Sequence, residues 1–162
     1  MIPERETAQV GDHDLRLDAY LPYRLSVASN AVSGLIARAY QDRFGLTIPQ
    51  WRLICVLAED GGLTQVQLVA RTVMDKVTVS RAAQGLLKRR LVARSDHHAD
   101  GRSHVLALTA EGAGLHAEIA PLALAYEAAL IAGLAPEEVA LLKRLLTRLQ
   151  SAAGSLAGDA ST

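Results

Sequence analysis

The sequence predicts a mainly α-helical fold with one small β-hairpin, and three observations predict it. Apolar residues make up 50% of the 162 positions, but Ala and Leu supply most of them and aromatics reach only 4%, a balance that favours helices over sheets. Apolar side chains recur at 3-and-4 spacing through long stretches near both ends. Strand character is concentrated in two short runs, LVARS (91–95) and SHVLALT (103–109), which flank a polar tip holding His97, His98, Asp100, Gly101 and Arg102.

Length fits a single domain large enough to bury a core. No run of about 18 apolar residues occurs, and the first residues, MIPERETAQVGDHDLR, have neither a basic n-region nor an apolar h-region. The expectation is a cytoplasmic protein with no membrane partner. Cys55 is the single cysteine, which excludes an intrachain disulfide.

The elements follow in order. Residues 15–44 read as a long helix, with Leu25, Ala28, Val32, Leu35, Ile36 and Ala39 on one face, Gly45 as its stop, and a kink expected at Pro22. TIPQWRLICVLAEDGG (47–62) is a second helix, with Pro49 suited to its first turn and Gly61-Gly62 ending it. In LTQVQLVARTV, Thr64 is an N-cap with Gln67 three residues on, a capping-box pattern opening a short helix. MDKVTVSRAAQGLLKRR brings its own cap, Asp75, with Val77, Val79, Leu86 and Leu87 as candidates for packing that helix down. After the hairpin come two more helices, 109–134 and 135–156, the last with Val139, Leu142, Leu145, Leu146 and Leu149 at helical spacing.

Formal net charge is zero, but it is unevenly placed. Residues 1–63 carry 6 Lys/Arg against 8 Asp/Glu, residues 64–104 carry 8 against 3, and residues 105–162 carry 3 against 6. The basic middle coincides with the two short capped helices and the hairpin. That unit is a helix-turn-helix followed by a wing, so the charge has a structural vehicle suited to DNA. The second short helix places Lys76, Thr78, Ser80 and Arg81 in its first turns, where side chains reach base edges in the major groove. Lys88, Arg89, Arg90 and Arg94 follow and suit phosphates. At the wing tip, Gly101 permits the turn, Arg102 suits the narrow minor groove, and Asp100 suits a salt bridge orienting that arginine.

The helix pair LTQVQLVARTVMDKVTVSRAAQGLLKRRLV and the wing DGRSHVLALTAEG together resemble the MarR family of winged helix-turn-helix transcription regulators. Asp100, Arg102, Leu108, Thr109 and Gly112 match the family's wing signature, and the resemblance spans residues 15 to about 150. Arg90 departs from it, because the family usually has glycine there. The resemblance implies one domain in which residues 47–109 form the winged lobe, while 15–45 and 110–155 supply helices that pair with a second copy in a homodimer. It implies a palindromic double-stranded operator, a repressor released by a small effector, and no cofactor. Family effectors include phenolic compounds, aromatic carboxylates, their thioesters and oxidants. By analogy, Tyr23, Arg24, Trp51 and Arg52 fall near the cleft between the dimer helices and the lobe, with the arginines suited to an anionic ligand.

Other readings weigh against these. The five histidines lack zinc spacing, and Cys55, in WRLICVLA, reads as a small core residue rather than a sensor. An intramolecular salt bridge is the plain alternative for Arg24 and Arg52. No nucleophile, base and orienter spacing or Gly-rich phosphate loop points to an enzyme. The alternative function is a winged-helix protein-interaction module or scaffold without sequence-specific DNA binding.

Overall fold

The computed structural model describes residues 15–96 and 104–159. Among them the order is α1 (Leu21–Phe44), α2 (Ile48–Asp60), β1 (Leu63–Thr64), α3 (Gln65–Thr72), α4 (Lys76–Lys88), β2 (Val92–Asp96), β3 (His104–Leu108), α5 (Ala110–Ile131) and α6 (Pro136–Asp159).

α1 starts later than expected, at Leu21, with Tyr20 as N-cap. Pro22 therefore occupies the first turn, where its fixed φ and missing N–H fit, and it causes no mid-helix kink. The helix stops at Gly45, whose φ of 61° is left-handed. α2 carries Pro49 in its first turn and is closed at its start by a capping box, with the Gln50 amide donating to Thr47 Oγ1 at 3.4 Å and the Thr47 amide to Gln50 Oε1 at 3.0 Å. The expected box at α3 is present too: the Thr64 amide donates to Gln67 Oε1 at 2.8 Å and the Gln67 amide to Thr64 Oγ1 at 3.4 Å. At α4, Asp75 accepts from the Thr78 amide at 2.8 Å.

The sheet has the order β1-β3-β2 and is antiparallel throughout. β2 and β3 pair from Val92↔Leu108 to Asp96↔His104, and β1, a strand beyond the expected hairpin, pairs Leu63↔Leu106 and Thr64↔Val105.

The core sits in the winged lobe. Leu53, Ile54 and Leu57 of α2, Leu68 of α3, Val79 and Leu86 of α4, and Leu106 of β3 are buried together, joined by Tyr40 from α1 and Ile119 from α5. Val77, expected among the packing residues of α4, is 57% exposed. The reason is angular: Val79, Ala82, Ala83 and Leu86 define the buried face, and a residue two positions from Val79 lies about 200° around the helix. Among its residues whose burial is described, α6 has none buried, and its Leu142, Leu145, Leu146 and Leu149 form an exposed apolar stripe.

Candidate nucleic-acid interface and the adjoining cleft

α4 is held at both ends by its own sequence. At its start the Asp75 carboxylate accepts from the Thr78 amide and also from Thr78 Oγ1 at 2.6 Å. The side-chain bond from Thr78, then the backbone bond, hold the Asp75 carboxyl below the usual carboxylate range. Thr78, expected at base edges, thus has its hydroxyl proton committed to the cap.

At its end the Leu91 amide donates to Leu86 O and the Arg90 amide to Leu87 O, both at 3.0 Å, a Schellman closure that requires left-handed backbone between them. Arg90 supplies it at φ 58°. The position where the family carries glycine keeps the glycine conformation here.

Around the helix, Lys76, Val77, Arg81, Gln84 and Lys88 are exposed, opposite the buried face, with Ser80 half-buried at their edge. Gln84 and Val77 were not expected there. The signal was available in the spacing, since 77, 81, 84 and 88 repeat at the helical period just as 79, 82, 83 and 86 do. Val66 of α3 and Val73, in the turn before α4, are exposed as well.

Lys76 and Arg94 both line a concavity of about 520 Å³ between α4 and the wing strands, together with Thr64 of β1, Gln65 and Val66 of the first turn of α3, and Leu106. Asp100 and Arg102 lie outside the described residues.

Arg89 is placed otherwise than expected. Its Nη1 donates to Gly45 O at 3.0 Å and its Nη2 to Phe44 O at 2.9 Å, so the guanidinium caps the end of α1. On the opposite side, Thr109 Oγ1 donates to Arg90 O at 2.8 Å and accepts from the Gly112 amide at 3.0 Å, while the Thr109 amide donates to Leu91 O at 3.1 Å. A β-carbon on Gly112 would stand 2.0 Å from Leu91 O. The Leu108, Thr109 and Gly112 signature thus has a physical content: it clamps the start of α5 on the turn that ends α4.

A second cavity, of about 560 Å³, opens between α1, α2, α5 and α6. Its walls are mostly apolar, and Trp51 and Arg52 belong to them, as expected. Trp51 is held from two sides, with Tyr40 of α1 at 5.2 Å between ring centroids and His116 of α5 stacked at 5.6 Å. Tyr23 and Arg24 are not on its walls: α1 first reaches the cleft at Val32, about 12 Å along the helix from Arg24.

The charges at the cleft are Arg52, Glu127 and Lys143, with Lys143 Nζ 3.3 Å from Glu127 Oε1. That pair neutralises itself, leaving Arg52 as the net positive charge. Lys143 escaped the sequence reading, although it stands four residues after Val139 and three before Leu146, on the apolar stripe.

Cys55 is half-buried in α2, and burial, then the nearby Glu59 carboxylate, push its thiol up to about 11. Arg71, another residue of the basic segment, is engaged within the lobe, paired with Asp60 and with Glu59 at 3.2 Å across the α2–α3 junction.

The chain is similar to known regulators. The model described as MarR family matches residues 44–103. Transcriptional regulator HosA of Escherichia coli O111:H- is 30% identical over 107 residues, covering 66% of this chain and 79% of that protein. Among solved structures, a probable transcriptional regulator from Pseudomonas aeruginosa is 32% identical with a TM-score of 0.74, the match covering 83% of this chain and 99% of that one. BpsR of Bordetella bronchiseptica, in a structure concerned with regulation of its DNA binding by 6-hydroxynicotinic acid, is 26% identical with a TM-score of 0.79, covering 84% of this chain and 96% of that one.

Proposed function

Because the chain belongs to the MarR family of transcriptional regulators, we propose that it is a homodimeric repressor that binds a palindromic operator and releases it when a small anionic aromatic ligand enters the α1–α2–α5–α6 cleft. The observation that carries the reading is the outward face of α4, where Lys76, Arg81, Gln84 and Lys88 are exposed on a helix whose opposite face is core. Arg81 and Ser80 are the base readers, with Val77 and Gln84 beside them, and Lys76, Lys88 and Arg94 contact phosphates. Arg102 enters the minor groove, oriented by Asp100.

The uncovered apolar residues on α1 and α6, which one copy leaves in water, support the dimer, in which a second copy would cover them. The effector class is supported by the cleft, which combines apolar walls, an indole and the net charge of Arg52. BpsR, whose DNA binding is regulated by 6-hydroxynicotinic acid, supports a ligand of that kind.

A mobility-shift titration with the DNA upstream of the protein's own gene, against an equally long random duplex, tests the reading. Preferential binding to the upstream DNA is expected, with Arg81→Ala weakening it by about 1–3 kcal/mol and random DNA by less. Equal affinity for both duplexes favours the protein-interaction module instead.

A further inference from the structure

Arg89 lies in a run of three basic residues, Lys88, Arg89 and Arg90, at the end of the helix read above as the DNA reader. A solvated or phosphate-bound guanidinium is the ordinary expectation there. Instead the side chain reaches across to α1, and its two terminal nitrogens span the adjacent carbonyls of Phe44 and Gly45 at 2.9 and 3.0 Å.

The Phe44 carbonyl is an orphan acceptor at the end of α1, where the negative end of the helix dipole lies, and the Gly45 carbonyl follows directly after it. An arginine fork matches two neighbouring oxygens, whereas a lysine ammonium acts as a single point charge. Gly45 itself sits at φ 61°, and even a β-carbon there would lie 3.8 Å from Arg89 Nη1, an ordinary contact, so the fork does not depend on the missing side chain.

The same α1 lines the cleft through Val32, Ser33, Ile36 and Tyr40. One side chain therefore ties the end of a cleft-lining helix to the end of α4, while Thr109 ties the next two carbonyls of that turn to α5. We propose that Arg89 is a positioning residue that fixes the angle of α4 against α1 and transmits a change at the cleft to the DNA face, rather than a phosphate anchor. The proposal rests on the DNA-binding reading.

The test is fluorescence anisotropy with an operator duplex and a random duplex over a salt series, on wild type, Arg89→Met, Arg89→Lys and Lys88→Ala. Thermal unfolding is recorded for each. For Arg89→Met, operator affinity falls about five- to twentyfold, the range of modest coupling between sites, and random-duplex affinity falls less. The salt slope stays at the wild-type value, whereas Lys88→Ala lowers it by about one. Arg89→Lys recovers little, because charge without the fork does not bridge both carbonyls.

If Arg89→Met lowers the slope by about one and Arg89→Lys restores both slope and affinity, the residue is a phosphate anchor and the proposal is wrong. Unchanged operator affinity in either variant overturns it as well. Should Arg89→Met fail to fold, Arg89→Lys alone decides by the same two readouts. A wild-type protein that does not distinguish operator from random duplex sinks the DNA-binding reading itself, and the proposal with it.

Discussion

Val73 and Arg90 hold left-handed backbone, at φ 54° and 58°, in the two turns that bound α4. A side chain bearing a β-carbon pays roughly 1–2 kcal/mol for that conformation, and a β-branched one is the more unusual. Arg90→Gly and Val73→Gly are each expected to raise stability by about 1 kcal/mol, or about 2–4 °C in melting temperature. The gain is net of the unfolded-state entropy that glycine adds. Calorimetry checks this, and a lowered melting temperature contradicts the strain. The first strain was readable in the sequence as an arginine where a C-cap glycine is usual. The second was not, because the residue that takes it, Val73, is β-branched, and the turn Thr72-Val73-Met74-Asp75 contains no glycine to mark it. At Cys55, a thiol pushed up to about 11 leaves little thiolate at neutral pH. Iodoacetamide is expected to label native protein far more slowly than unfolded protein at pH 7, with the rate still rising at pH 10. Fast labelling at pH 7 would revive a sensor role.

At the scale of elements, the ends of helices were more readable than their neighbours. Thr64, Gln67 and Asp75 announce their helices because a cap is a local bond between a side chain and a backbone amide three residues on. β1 gives no such sign, since two residues become a strand only by pairing with β3 some forty positions later. The junction of α4, β2 and α5 is similarly non-local, and it makes Gly112 an exacting position. With Leu91 O 2.0 Å from any β-carbon there, Gly112→Ala forces backbone apart and is expected to cost about 1–3 kcal/mol. Urea unfolding measures the loss. Gly114, which has nothing within 4 Å of its β-carbon site, is the control, and Gly114→Ala should be neutral or stabilising. Equal effects of the two substitutions would mean that the clamp is not tight.

At the scale of the molecule, what the sequence conveyed and what it withheld divide along contact range. The order of elements, the basic middle and the apolar terminal helices were all readable from periodicity and charge. The cleft was half readable: Trp51 and Arg52 line it, but Tyr23 and Arg24 stand too far along α1, and Lys143 and Glu127 come from helices whose approach no local pattern encodes. Arg52→Met is therefore expected to leave operator affinity unchanged while abolishing release by aromatic carboxylates, removing a ligand preference of about 1–3 kcal/mol for the DNA-free over the DNA-bound protein. Normal release by this variant in anisotropy displacement would place the effector elsewhere. The most direct test of the whole account is selection of duplexes from a randomised library by the wild-type protein, followed by affinity measurement at physiological salt. An enriched palindrome is expected, its half-sites about one helical turn apart and bound at least about a thousandfold more tightly than random duplex, as two copies of α4 on a two-fold axis require. Recovery of no common sequence, or of a site bound no better than random duplex, would contradict it.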